Sequence, residues 1–229
     1  MLYVFGILFT CVSIAYLHKT AANLAYYLHE PAVEPLKDVG FLLLKEIAPK
    51  YQMWSEVVFF LPIISMFAEI FKELLLWIVY GSSFSTAYLM FMRFAITSNA
   101  CAILRCLSFL STMLPGPRYH CRPGSKKYNP PKNVKEIFTR TDFFNGCGDL
   151  IFSNHTVLNM TANMILIDYI YPQFYMKIYL WACTAVFLLL VIACRKHYTV
   201  DIVVALYVVP LMYSYLYTHM SDEWLLSLI

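Results

Sequence analysis

The sequence predicts an all-α, polytopic membrane protein, built as a single integral membrane domain over residues 1–229. Three observations predict it. Hydrophobic residues make up 60% of the 229-residue chain and charged residues only 14%, against about 45–50% and about 25% in soluble domains. Mean hydropathy is +0.61. The uncharged stretches are long enough for helices that cross a bilayer, which takes roughly 20 apolar residues each. One water-soluble core of this size cannot hide that much apolar surface. A disordered chain, a nucleic-acid module and a cytosolic enzyme are therefore poor readings. The net charge of +3 carries no meaning until the charges are placed.

The elements follow in chain order. Met1 to Leu17 holds no charge before His18 and Lys19. It lacks the basic start and the small-residue cleavage site of a secretory signal, so a retained first span over about 1–23 is expected. Pro31, Pro35, Lys37, Asp38, Gly40 and Pro49 make 29–50 a loop, partly lying on the membrane interface. The stretch 54–114 divides into two helices, about 55–80 and 85–112, because Gly81-Ser82-Ser83-Phe84-Ser85 supplies turn residues and the region around Arg93 supplies none. Glu69, Lys72 and Glu73 then fall on the first of these helices at i, i+3 and i+4, where pairing on one face lowers their cost. A polar loop over 115–146 carries seven basic residues (Arg118, Arg122, Lys126, Lys127, Lys132, Lys135, Arg140) and two acidic ones (Glu136, Asp142). Three further spans are read over about 148–168, 176–195 and 200–219, the last interrupted at Pro210. Six spans put both termini on one side. No repeat and no appended soluble domain is expected. The basic loop is a cytosolic signal by the positive-inside rule, or a surface drawn to anionic headgroups.

The informative residues are the polar ones inside apolar segments. His155, Asn159 and Asn163 share one helix face at i, i+4 and i+8. Such a stripe either glues helices together or faces a wet cavity. The first role suits the two asparagines. It suits His155 less well, because that residue ends a dense polar run from Cys147 through Thr156. A second cluster, His197-Tyr198-Thr199-Val200-Asp201, sits between the fifth and sixth spans. His197 and Asp201 are i, i+4, so in a helical segment the carboxylate can orient the imidazole and raise the basicity of its other nitrogen. Arg195 and Lys196 beside them can hold phosphate oxygens. Counting crossings puts His155 and His197 at the same membrane side. Two histidines, one with a carboxylate partner, among basic residues at headgroup level point to phosphoryl transfer, with one imidazole attacking phosphorus and the other moving the proton. A metal site from His155, His197 and Asp149 or Asp201 is the rival use, but no H-x-x-x-H or H-E-x-x-H spacing supports it.

At these residues the chain resembles a known family. Cys147-Gly148-Asp149-x-x-x-Ser153-Asn154-His155-Thr156 and His197-Tyr198-Thr199-x-Asp201 are similar to the two catalytic motifs of the sphingolipid synthases, which include sphingomyelin and inositol phosphorylceramide synthases and are related to lipid phosphate phosphatases. Asn154 stands where that family usually has glycine. Arg105-x6-Thr112 with Leu114-Pro115-x-Pro117 looks like the family's third-span motif, and Pro35-Leu36-Lys37-Asp38 is similar to its first-loop motif. The runs 114–126, 147–153 and 195–201 look most like the plant-type inositol phosphorylceramide synthases. The K-x6-R-P pattern of the phosphatases fails, since Pro115 stands where the lysine is needed.

The resemblance implies a lipid phosphatase-like six-helix bundle. It implies a catalytic set of His155, His197 and Asp201, with His197 as nucleophile, Asp201 orienting it and His155 serving the leaving and entering alcohols. Asp149, Ser153, Arg105, Arg195, Lys196 and Tyr198 are the substrate or phosphate-binding candidates. The implied partners are ceramide, a glycerophospholipid and the bilayer, with no nucleic acid and no metal or other cofactor; homo-oligomerisation is left open. The implied place is the Golgi or plasma membrane with the site lumenal or extracellular, against the positive-inside count. On that side Cys121 and Cys147 can form a disulfide, while Cys11, Cys101, Cys106, Cys183 and Cys194 are packing residues. The expected reaction moves a phospho-headgroup, from phosphatidylinositol first, to ceramide. The alternatives are a phosphatidylcholine or phosphatidylethanolamine donor, a lipid phosphate phosphatase, and a channel or transporter.

Overall fold

A computed structural model describes residues 2–141 and 146–229; Asp142, counted above in the basic loop, lies outside them. The described chain is helical: α1 (Leu2–Tyr27), α2 (Val39–Leu43), α3 (Met53–Tyr80), α4 (Ser85–Ser111), α5 (Val134–Thr139), α6 (Asn154–Tyr169), α7 (Phe174–Ala193), α8 (Thr199–His219) and α9 (Asp222–Leu226). Among the described residues four stretches are long and apolar enough to cross a membrane: Phe5–Tyr27, Ser85–Ser111, Phe174–Ala193 and Thr199–His219. These are the marks of an integral membrane protein.

The reversal between α3 and α4 falls where the turn residues place it. Gly81 adopts φ 67° and its N–H closes α3 on the Trp77 carbonyl. A left-handed residue at a helix end is what glycine supplies most cheaply. Glu69 and Lys72 of α3 pair, and the Tyr171 hydroxyl donates to Glu69. One boundary differs from expectation. The span expected from 148 is helical only from Asn154, which leaves α6 with 16 residues. Gly148 (φ 90°) and Ile151 (φ 71°) hold left-handed conformations that a helix cannot include. Ser153 then caps the helix, its Oγ accepting the Thr156 N–H at 3.3 Å.

Helix α6 is the axis of the molecule. It packs against α3, α4, α7 and α8, while α1 lies along α4 and α5 crosses α1. Val157, Met160, Ala162, Ile165 and Leu166 of α6 are all buried. Being enclosed on every side explains its polar stripe. Asn159 donates to the Phe59 carbonyl of α3 at 3.2 Å and accepts from Thr184 of α7 at 3.0 Å. Asn163 donates to the Leu180 carbonyl at 3.2 Å and to Thr184. Both asparagines are helix-to-helix glue, a role open to small polar side chains between apolar helices. His155, one turn nearer the end, is not part of it.

Candidate active site

The end of the bundle that carries the α6 and α8 N-termini collects the polar residues. His197 lies in the turn between α7 and α8, and its Nδ1 is 2.9 Å from Asp201 Oδ2. Asp201 is fully buried. The same Oδ2 accepts the Tyr198 N–H at 3.1 Å, and Oδ1 accepts the Ile151 N–H at 2.7 Å. Ser153 N–H donates to the Asp201 carbonyl at 3.1 Å. One carboxylate thus orients the imidazole and ties the two motifs together. Its contact with Ile151 explains why a β-branched residue holds a positive φ, a conformation kept only where surroundings over-determine it.

With Nδ1 committed, His197 turns Nε2 away from the aspartate, and that buried nitrogen has no hydrogen-bond partner among the described residues. The His155 ring stands 5.7 Å from the His197 ring, edge to face, and its buried Nδ1 is likewise unpartnered. Phe59 packs edge-on against His155 at 5.0 Å. Both histidines border a cavity of about 240 Å³ whose other walls include Glu56, Arg105, Arg118, Asp149 and Asn154. Burial pushes the His197 pKa below its ordinary value, while Asp201 acts the other way. The imidazole is therefore a free base at neutral pH. Burial would raise the Asp149 carboxyl, but the adjacent Arg105 overcomes this and holds it low.

The expected binding residues divide. Asp149 borders the cavity, and Lys196 borders a narrow extension beside His197. Lys196 is also paired with Glu56 of α3. Arg105 reaches the cavity with its donors already used: Nε to the Phe152 carbonyl at 2.5 Å, Nη1 to His18, and Nη2 to the Asp149 carbonyl and carboxylate at 2.6 and 2.7 Å. Arg105 is a brace for the 149–152 loop. Ser153 is spent on the cap. Arg195 and Tyr198 point elsewhere. Arg195, at φ 53°, donates to the carbonyls of Phe41 and Leu44 and stacks over Phe41 at 4.0 Å. Tyr198 donates to the Pro115 carbonyl at 2.9 Å and accepts the Leu36 N–H at 3.1 Å. None of the three is brought to the cavity, since Ser153 is held by its cap and Arg195 and Tyr198 by backbone groups on the side of Leu36, Phe41, Leu44 and Pro115.

Sequence reasoning missed three contributors, and read a fourth, Asp38, only as part of the first-loop motif. Arg118, one of seven basic loop residues, is drawn inward, with Nε donating to the Lys196 carbonyl at 3.2 Å; nothing in the sequence separates it from its neighbours. Glu56 and His18 had a weak signal as polar residues at the edges of apolar stretches. Asp38 caps two helices at once: it accepts the Phe41 N–H of α2 at 3.1 Å, and the Thr199 N–H and hydroxyl of α8 at 2.8 and 2.6 Å. Cys121 and Cys147 form a disulfide with Cα atoms 5.9 Å apart, which links the loop of Arg118 to the loop of Asp149. Next to it Gly148 lies against α1, where an added Cβ would meet the Ala25 carbonyl oxygen at 2.9 Å.

The family model described as PAP2 superfamily C-terminal matches residues 146–219, the segment holding both histidines and Asp201. Over 209 residues the chain is 38% identical to phosphatidylinositol:ceramide inositolphosphotransferase 3 of Arabidopsis thaliana, covering 87% of this chain and 69% of that protein. The chain belongs to the sphingolipid synthase family. A phosphatidylinositol:ceramide inositolphosphotransferase of Oryza sativa subsp. indica is 39% identical over 207 residues, covering 86% of this chain and 60% of its own length. Phosphatidylcholine:ceramide cholinephosphotransferase 1 of Gallus gallus is 24% identical over 131 residues, or 53% of this chain and 31% of that protein. The matches to the plant members of the family thus run through nearly the whole bundle, well beyond residues 146–219.

Proposed function

We propose that the chain is a ceramide phosphotransferase that moves a phospho-headgroup from a glycerophospholipid, phosphatidylinositol by the likeness to its plant relatives, to ceramide and releases diacylglycerol. One observation carries the mechanism: an imidazole fixed by a buried carboxylate, its Nε2 bare, beside a second histidine in a basic cavity. In the first displacement His197 Nε2 attacks phosphorus, a P–N bond forms and the bond from phosphorus to the glycerol oxygen breaks. His155, held protonated by the negative charge of the donor phosphate bound beside it, gives its proton to that oxygen. In the second, neutral His155 takes the proton of the ceramide hydroxyl, whose oxygen attacks phosphorus as the P–N bond breaks. His155 ends protonated and His197 free, so the cycle closes. Arg118 and Lys196, both beside the histidines, suit the phosphate oxygens.

The membrane placement follows the same reading. Helices α3 and α6 complete a set of six spans with α1, α4, α7 and α8, in one integral membrane domain over 1–229. The 115–146 loop and both histidines then share one side, lumenal or extracellular, in the Golgi or plasma membrane. The disulfide supports this side, since disulfides persist in oxidising compartments. The test is a donor panel: proteoliposomes holding labelled ceramide and phosphatidylinositol, phosphatidylcholine or phosphatidylethanolamine in turn. A labelled inositol phosphosphingolipid is expected. Absence of product from every donor sinks the reading, and phosphate released from a lipid phosphate without ceramide favours a phosphatase.

A further inference from the structure

The donor headgroup must sit in the cavity that holds the two histidines, because its phosphorus is the atom they act on. At about 240 Å³ this cavity falls below the roughly 300–1,000 Å³ typical of sites for drug-sized ligands. It fits a headgroup, with the acyl chains outside. Its chemistry narrows the headgroup further. No tryptophan, tyrosine or phenylalanine is among the described residues lining it, and a quaternary ammonium is recognised by the faces of such rings. Neither of its carboxylates is a bare charge for a primary ammonium. Asp149 is paired with Arg105 and Glu56 with Lys196.

A neutralised carboxylate keeps its capacity to accept hydrogen bonds. Glu56 Oε1 takes the Lys196 ammonium, and among the described residues Oε2 has no hydrogen bond. A carboxylate oxygen so placed accepts from a hydroxyl. Asn154 is the first residue of α6, between the cap Ser153 and His155. Its side chain borders the cavity and makes no hydrogen bond to a described residue, so its amide is free to both donate and accept. Glu56 comes from α3 and Asn154 from α6, and both border the cavity that His155 enters.

We infer that Glu56 and Asn154 read the headgroup, and that they select a polyhydroxylated ring over a choline. The inference rests on the transfer function proposed above and names the residues that decide its donor. A ring of adjacent hydroxyls presents donors to Glu56 Oε2 and both donors and acceptors to the Asn154 amide. A methylated ammonium offers neither residue a partner and leaves both desolvated. A site built to hydrogen-bond its ligand rejects an analogue that lacks those groups by leaving its own polar atoms unpaired.

The experiment uses the full chain in two readouts. Soluble glycerophosphoinositol and glycerophosphocholine compete with the lipid donor in turnover, and the same two compounds shift the melting temperature of the detergent-solubilised protein. In the wild type glycerophosphoinositol is expected to inhibit at least about thirtyfold more strongly, as two hydrogen bonds are made to it alone, and to raise the melting temperature more. Asn154→Ala is expected to cut that preference by about fivefold, and Asn154→Ala with Glu56→Gln by about thirtyfold, as one and then two hydrogen bonds are lost. With phosphatidylinositol as donor the loss should appear as a raised KM. Equal inhibition by both compounds in the wild type, or variants that weaken both compounds by the same factor, would overturn the inference while leaving the transfer function standing. If no donor yields product, the transfer function falls, and the melting shifts still decide the headgroup assignment. A preference kept in the double variant counts against it.

Discussion

Helix α4 carries two arginines twelve positions apart, and they stand in two unlike places. Arg93 is 3% exposed and Arg105 is 1% exposed. Each pairs with an aspartate at 2.7 Å. Around Arg93 everything is closed: Nε donates to the Tyr169 hydroxyl, Nη1 to the Leu216 carbonyl, and the guanidinium lies over Tyr217 at 4.6 Å. Tyr169 also donates to Asp222 at 2.7 Å. The cluster locks α4, α6, α8 and α9 at one end of the bundle. Arg105 is as fully bonded, but its partners border a cavity and two buried imidazole nitrogens without partners. A buried ion pair inside a helical bundle is therefore no mark of a site. The difference lies in what the arginine's own partners leave unsatisfied: Tyr169, Leu216 and Asp222 are bonded to Arg93 or to one another, whereas among the described residues the Arg105 end holds two imidazole nitrogens without partners.

The largest expected effect breaks the histidine side of the comparison. His197→Ala should abolish transfer with the protein still folded; turnover retained within tenfold of wild type would remove His197 as nucleophile. Asp201→Asn should cost roughly 10²–10⁴-fold, by analogy with losing the carboxylate of a catalytic triad, with KM little changed. The two arginines separate next. Removing one partner of a buried ion pair costs about 3–5 kcal/mol, so Arg93→Met and Arg105→Met should both lower the denaturation midpoint. Only Arg105→Met should also lower activity per folded molecule. An equal activity loss in both variants would erase the distinction drawn here. Cys121→Ser with Cys147→Ser should cost about 2–4 kcal/mol and loosen the loop of Arg118, seen as a raised KM.

The smallest effect is in pH. His197 is held below its ordinary 6.5, so its free base persists as pH falls through that value. The acid limb of kcat/KM should therefore lie below pH 6.5. Because Asp201 acts to raise the His197 pKa, Asp201→Asn should move the residual acid limb lower still. The sign for stability is the same: the folded state resists protonation, so the contribution is complete above pH 6.5 and is lost as pH falls from there through the lower folded value. An acid limb above pH 6.5 contradicts the burial of this histidine.

Much of the bundle was legible. The charge-free stretches placed the helices, Gly81 placed a reversal, and the i, i+4 spacing of His197 and Asp201 named their pairing. The start of α6 was not legible, because Leu150 to Phe152 is as apolar as a helix and only the left-handed Gly148 and Ile151 show that the chain must approach α8 first. Arg105 read as a phosphate ligand because sequence shows a charge and not its partners. Arg195 and Tyr198 read as site residues through adjacency to His197, but their partners are backbone groups of Phe41 and Leu44 and of Leu36 and Pro115, which adjacency cannot show.

What the sequence by itself determined is the solvent and the reagents. Composition demands a bilayer, since so much apolar surface has no other place to go, and two histidines with one aspartate are the reagents the proposed transfer uses. Tertiary structure alone decided which charges are spent and which groups remain available. A side chain's use depends on the hydrogen bonds its neighbours have already filled, and those neighbours lie far away in the chain: Phe152 and Asp149 for Arg105, Ile151 for Asp201, Lys196 for Glu56.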